Sequence, residues 1–300
     1  MPELPDIELY RKRLEERLVG RTLESLAVFN PFVLRSFSPK PAEIAGMRVE
    51  AIERLGKRLV FALEDARFVV IHLMVAGRLQ WQSPAPPAKR AMGKVQLAAF
   101  RFDNGQLTLV ETSTKKRASI HLVAGREGLR EHSRGGLDVL TATPEAFAER
   151  LRATNRTLKR ALTDPRAFDG IGNAFSDEIL FAAKLSPVKL TRSLDDEATE
   201  RLRVATREVL VHWTAKLQAQ IPGFPKPAQV TAFEPDFAVH GKFGEPCIEC
   251  GSPVQRIVYA ENEANYCARC QNEGRLLADR SLSRLLKDDW PKTLEEMVGG

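Results

Sequence analysis

Cysteine occurs in this chain only as Cys247-x2-Cys250 and Cys267-x2-Cys270, two pairs separated by sixteen residues. Two thiolate pairs, each presented from a tight turn, complete the tetrahedral shell of one zinc ion and leave no position for water or substrate. The pattern predicts a small hairpin held together by a structural metal that does no chemistry. The competing reading, four free thiols, makes the double spacing a coincidence. Confinement of all four cysteines to one short stretch also suits a reducing compartment better than a disulfide framework. Such a finger binds DNA, RNA or protein, so by itself it does not say what the chain does.

The remaining sequence is too long to be an appendage of that hairpin. Three hundred residues, 43% hydrophobic and 28% charged, describe a globular chain with two or three cores. A net charge of +6 favours a polyanionic partner. The start, MPELPDIELY, has acids where a signal peptide needs bases, and no stretch approaches the roughly 18 apolar residues of a membrane span. A cytoplasmic protein with no membrane partner is expected. Pro5 fits a first helical turn, Ile7, Tyr10, Leu14 and Leu18 recur at helical spacing, and Gly20 ends the helix. From Thr22 to Val123 seven short runs rich in β-branched and aromatic residues predict a β-sandwich or barrel, with Asp103-Asn104-Gly105 as a hairpin turn. Residues 83 to 94 form a Pro-rich basic loop within it. From about residue 143 the period is helical. A long helix opens with Ser193 and Asp196 as a capping box, and IPGFPKP (221 to 227) marks a linker. The segment after the cysteines reads as a polar-faced helix.

Outside the cysteine module two segments stand out. Met followed by the small residue Pro is normally processed, which exposes a secondary amine at Pro2. An ordinary α-amine has a pKa of about 7.7 to 8.0, so a neutral, nucleophilic fraction exists at neutral pH, and Glu3 beside it suits proton transfer. The bland alternative is that Pro-Glu-Leu-Pro only starts a helix. In GIGNAFSDEILFAAKLSP (170 to 187) two glycines and Asn173 form a turn able to hold a phosphate before a helix expected from Phe175 to Lys184. Lys57 and Lys159 are further candidate phosphate contacts, or solvated surface lysines. His72, His121, His132, His212 and His240 show no metal-type spacing and read as structural or surface residues.

Taken in order, these segments resemble the Fpg/Nei family of formamidopyrimidine-DNA glycosylases and endonuclease VIII enzymes. The family start P-E-L-P-E-V-E is similar to Pro2 to Glu8, R-x-G-K to Arg54 to Lys57, and H-L with a following G-R-L to His72, Leu73 and Gly77 to Leu79. G-I-G-N-x-x-x-D-E-x-L matches Gly170 to Leu180, G-E-P-C-x-x-C-G matches Gly244 to Gly251, and Y-C-x-x-C-Q matches Tyr266 to Gln271.

The resemblance implies an α+β multidomain fold: an N-terminal β-sandwich with a leading helix (1-130), a helix–two-turn–helix domain (131-227), a zinc-finger β-hairpin (228-272) and a helical tail (273-300). It implies a base-excision repair glycosylase with abasic-site lyase activity by β- and then δ-elimination. Pro2 would be the nucleophile, Glu3 the proton carrier, Lys57 and Asn173 phosphate contacts, and the four cysteines the ligands of one structural Zn2+. The partner would be double-stranded DNA with damaged bases or abasic sites, met by a monomer associated with the nucleoid.

Departures from the family pattern concern the lesion. The family's void-filling Met aligns with Val75, with Met74 one residue early; the opposite-base loop D-P-R-R-F-G reads Ser113 to Ala118 and becomes a basic strip containing Lys116 and Arg117. The zinc-hairpin arginine falls at Asn262, with Arg256 and Arg269 as the nearby bases. Residues 220 to 244 lack the pattern of the family loop that covers an oxidised purine. Two rivals are a non-catalytic binder of damaged or branched DNA on the same scaffold and a zinc-ribbon RNA- or protein-binding module. An acid beside the terminal amine speaks against the first, and the large β-rich half against the second.

Overall fold

The structure is a computed structural model and describes residues 1–87, 93–259, 262–277 and 292–298. Two compact units divide the chain: Met1–Arg134 with Trp213–Ala232, and Gly135–His212 with Phe233–Gly300.

The first unit opens with helix α1 (Leu4–Leu18), which has Pro5 in its first turn and turns Ile7, Tyr10, Leu14 and Leu18 inward. Eight strands follow: β1 (Leu23–Val28), β2 (Val49–Leu55), β3 (Arg58–Leu63), β4 (Arg67–His72), β5 (Gly77–Gln82), β6 (Gln96–Phe102), β7 (Gly105–Glu111) and β8 (Ser119–Ala124). They form two antiparallel four-stranded sheets, ordered β1-β6-β7-β5 and β2-β3-β4-β8. The sandwich expected from the sequence is therefore present, and its core interdigitates across the sheets, with the rings of Phe61 and Phe100 5.8 Å apart edge to face. Asp103 and Asn104 form the predicted hairpin turn, since Phe102 pairs with Gly105. Strand β5 is an addition to the seven expected runs. Its polar Gln80 and Gln82 hide the alternation that buries Leu79. Helix α2 (Gly125–Arg130) covers the outer face of the second sheet with Leu129.

The stretch 213–232 belongs to this unit for concrete reasons. Leu217 and Ile221 pack on Leu9, Phe224 lies 5.7 Å from the Tyr10 ring, and Val230 enters the sandwich core. The Arg13 guanidinium donates to the carbonyls of Gln218 and Ile221, satisfying groups that a helix leaves open at its C-terminus. IPGFPKP thus does more than link.

The second unit contains α3 (Pro144–Arg152), α4 (Leu158–Thr163), α5 (Asn173–Ala182) and the start of α6 (Asp196–Gln220). Asp195, not Ser193, caps α6: its Oδ1 accepts from Ala198 N at 2.7 Å, while Ser193 lies in a preceding 3-10 turn. The hairpin β9 (Gln255–Tyr259) and β10 (Asn262–Tyr266) is followed by α7 (Ala268–Asn272). The tail differs from the helix expected after the cysteines. Glu273 and Gly274 both take positive φ, Gly274 N returns to Ala268 O, and Arg275 then pairs with Thr293 as extended chain before a short α8 (Leu294–Val298). Much of the predicted tail helix, like residues 88 to 92 of the Pro-rich loop, lies outside the described residues. Among the described residues no helix is long and apolar enough to cross a membrane.

Candidate functional site

Pro2 and Glu3 are buried at the start of α1, Glu3 being only 3% exposed. Glu3 occupies the N-cap with extended backbone, its N–H donates to Asp6 Oδ2 at 2.8 Å, and its carbonyl accepts from Ile7 N. Met1 is present, so the Pro2 nitrogen is here an amide and the free amine belongs to Met1. That amine lies below its ordinary value of 8.0. Burial is the main cause; Arg78 and Lys57 lower it further, while Glu3 and Asp6 oppose them. A terminal amine held here is thus biased towards its neutral form, with a buried carboxylate and two cations around it.

Each neighbour has a local reason for its place. Gly56 and Lys57 are the two turn residues between β2 and β3, and Gly56 takes φ +60, the left-handed region demanded at the first position of such a turn. Arg54 bonds Glu8 of α1 at 2.8 Å and the Gly56 carbonyl at 3.3 Å, so the R-x-G-K segment ties the Lys57 turn to the helix that carries Glu3. Arg78 donates to the carbonyls of Val75, Gly77 and Val230. Sequence reading matched this residue without assigning it a task, and an arginine in a short polar strand carries no local signal for one.

Met74 and Val75 sit at the tip between β4 and β5. Met74 has φ +53, its N–H donates to His72 Nδ1, and it is half-buried; Val75 is 57% exposed. Gly77 closes this turn onto Leu73 O, and an added Cβ there would lie 2.3 Å from that oxygen. The Ser113 to Ala118 loop adjoins the tip, because Gly77 pairs with Glu111 and approaches Ala118. Glu111, buried, accepts the N–H groups of Arg117 and Ala118, and Lys116 donates to the Glu111 carbonyl. Arg117 remains exposed.

In the second unit, Gly170 takes φ +84 and Gly172 caps α5, so the helix starts at Asn173, two residues earlier than the sequence suggested. Asn173 is half-buried, and its carbonyl accepts from Lys159 Nζ at 2.6 Å. Lys159 is itself buried and also pairs with Asp177 Oδ1 at 2.6 Å. Its ammonium is directed inward, where it braces the turn carrying Asn173. Asp177 further accepts from Asn265 and lies 2.8 Å from His240 Nδ1, while Glu178 accepts three backbone N–H groups from Ala238, Val239 and His240. The Asp-Glu pair of α5 thereby organises the segments around the finger.

Cys247 and Cys270 sulfurs are 3.9 Å apart, those of Cys250 and Cys267 3.4 Å, and all four lie within 4.8 Å of one another. A tetrahedral zinc with bonds of about 2.3 Å needs sulfurs roughly 3.8 Å apart, so the residues fit the ion and form a structural zinc site. Burial pushes the Cys267 thiol up to about 11 without a cation, which is the cost that the metal removes. The Asn262 side chain lies outside the described structure. Arg256 stacks 4.4 Å over Phe243, and Arg269 lies 4.0 Å from Glu295.

Comparison with known proteins agrees with this layout. Residues 1–118 match the formamidopyrimidine-DNA glycosylase N-terminal domain, 138–219 the H2TH domain of the same enzymes, and 244–272 the zinc finger found in FPG and IleRS. A formamidopyrimidine-DNA glycosylase of Chloroflexus aurantiacus is 34% identical over 90% of this chain and 98% of its own. The solved complex of Lactococcus lactis Fpg with DNA containing an abasic site superposes with a TM-score of 0.78 at 25% identity, covering 90% of this chain and 99% of that one. Another Lactococcus lactis Fpg complex, with DNA containing an oxidised pyrimidine, also has a TM-score of 0.78 at 26% identity. Since a Thermus thermophilus formamidopyrimidine-DNA glycosylase is 33% identical across 91% of this chain and its own whole length, the chain belongs to that family.

Proposed function

We propose that this protein is a DNA base-excision glycosylase with an associated abasic-site lyase activity, and that its nucleophile is the Pro2 amine after removal of Met1. The observation that carries the reading is the setting of the chain start: Pro2 is buried directly beside the buried Glu3, and burial disfavours the ammonium of the Met1 amine one residue ahead, with the cations Arg78 and Lys57 nearby. The names and bound DNA of the relatives supply the substrate class, damaged or abasic duplex DNA.

The neutral Pro2 nitrogen attacks C1′ of the damaged nucleotide and the base leaves with its bonding pair; the Glu3 carboxylate takes the proton that the nitrogen sheds and delivers it to the ring oxygen as the C1′–oxygen bond breaks, which opens the sugar and leaves an iminium. The iminium acidifies the C2′ hydrogen, whose loss expels the 3′ phosphate; a second elimination expels the 5′ phosphate, and water returns the free amine. Lys57 and Asn173 hold backbone phosphates, Lys159 holds Asn173 in place, and Lys116 and Arg117 supply a basic strip. Met74 and Val75 are the apolar tip that enters the duplex as the damaged nucleotide is turned out, and Val75 is the more exposed of the two. Zinc holds the finger and takes no part in the chemistry.

The test is base release and strand cleavage on duplexes with a single formamidopyrimidine or abasic site. The parent cleaves both, and Glu3→Gln lowers base release by at least about 100-fold while duplex affinity stays within about twofold. Tight binding of the abasic duplex with no cleavage by the processed parent would instead identify a binder on the same scaffold.

A further inference from the structure

Imidazoles and guanidinium groups gather on the outer face of the second sheet at a place that the proposed chemistry does not use. Arg58 pairs with His72, and His72 with Ser119, so these side chains share a face; His121, two residues along β8, shares it too. The other end of this face is apolar, with Val60, Val70 and Val123 covered by Leu129 of α2. Just beyond α2 the chain brings His132 against His121, ring centroids 4.6 Å apart at 60°. On the free edge of β8, Leu34 bridges Ile120, Arg35 N donates to Ile120 O, and Leu122 N donates to Ser36 Oγ, which sets Arg35 alongside His121.

The fields at this place have one dominant sign. Burial first, then His132, Arg58 and Arg35, lower His121 to about 4. His72 falls to about 4 through burial, with Arg58, Lys57, Arg134 and His121 adding to it. His132 is lowered by burial and Arg58, but Glu131 raises it. Metal binding does not suit the cluster: cations surround it, and among the described residues only the four cysteines bring three or more ligand atoms together.

We propose that His121, His132, Arg58 and Arg35 form a binding site for a backbone phosphodiester of the DNA substrate, and that this site takes up a proton together with its ligand. The inference rests on the DNA-binding reading above. Arg58 and Arg35 attract the phosphate at any pH. Burial and the neighbouring cations bias both imidazoles towards the neutral form without a ligand; a bound anion stabilises one imidazolium, and Glu131 favours His132 for it. Because the complex binds more protons than its separate parts, affinity rises as pH falls.

Affinity of the full-length zinc protein for a short undamaged duplex, measured by fluorescence anisotropy at constant ionic strength, tests this. Between about pH 8 and about pH 6 the parent tightens roughly tenfold, as uptake of a fraction of a proton requires, and H121Q/H132Q loses most of that gain. Arg35→Gln, on an exposed segment, weakens binding at every pH by roughly three- to tenfold and lowers the salt slope by about one. Equal pH dependence in parent and double variant, with both still binding DNA, overturns the inference. A parent that binds no DNA at any pH overturns the DNA reading itself, and this inference with it.

Discussion

Lys159 shows how a single side chain changes meaning between sequence and structure. In RTLKRAL it is one basic residue among several and reads as a phosphate contact; in the fold it is buried between Asp177 and the Asn173 carbonyl. Breaking a buried ion pair from one side leaves the other charge without its partner, so Lys159→Met should cost about 3 kcal/mol in a denaturant titration. A loss below about 1 kcal/mol would show that Asp177 is adequately served by His240 and Asn265 alone. Pro2, Glu3 and Lys57 could be singled out from the sequence as candidates because the chemistry proposed for a terminal amine depends on residues adjacent in sequence or held by a short turn. Arg78 and Asp177 were not, because their partners are distant: Arg78 reaches Val230, and Asp177 reaches His240 and Asn265.

Among the elements, strands and helices followed from their periods, while ends and short turns depended on contacts that periodicity does not report. Asp195 displaced Ser193 as the cap of α6 because the chain makes a 3-10 turn first, and the polar outer positions of β5 masked it as a strand. The turn from Leu73 to Gly77 is the element most exposed to a small change. Any Cβ at Gly77 meets the Leu73 carbonyl at 2.3 Å, a backbone atom that cannot swing aside. Gly77→Ala should therefore destabilise the protein by about 2 kcal/mol and displace the Met74-Val75 tip. The expected readouts are a lower melting temperature and weaker binding of an abasic duplex; wild-type values for both would mean that the turn relaxes freely.

On the scale of the molecule, the order of motifs from Pro2 to Cys270 made the family legible, whereas the return of residues 213–232 to the first unit was not, since it rests on pairs such as Arg13 with Gln218 and Ile221 that lie some two hundred residues apart. Zinc acts at this scale as well, because the hairpin it holds supplies Asn265 to the buried carboxylate of α5. Removing the ion should raise hydrogen exchange throughout 247–272 and weaken binding of an abasic duplex by roughly tenfold. Unchanged affinity in verified metal-free protein would separate the finger from DNA binding. The most telling experiment is borohydride trapping of the processed protein on a duplex with one abasic site, beside a Pro2→Ala variant that retains a residue ahead of position 2. A covalent protein–DNA band from the processed protein alone is the predicted result; a band of equal yield from the blocked variant, or none from the processed protein with zinc and DNA bound, would contradict the Pro2 amine as nucleophile.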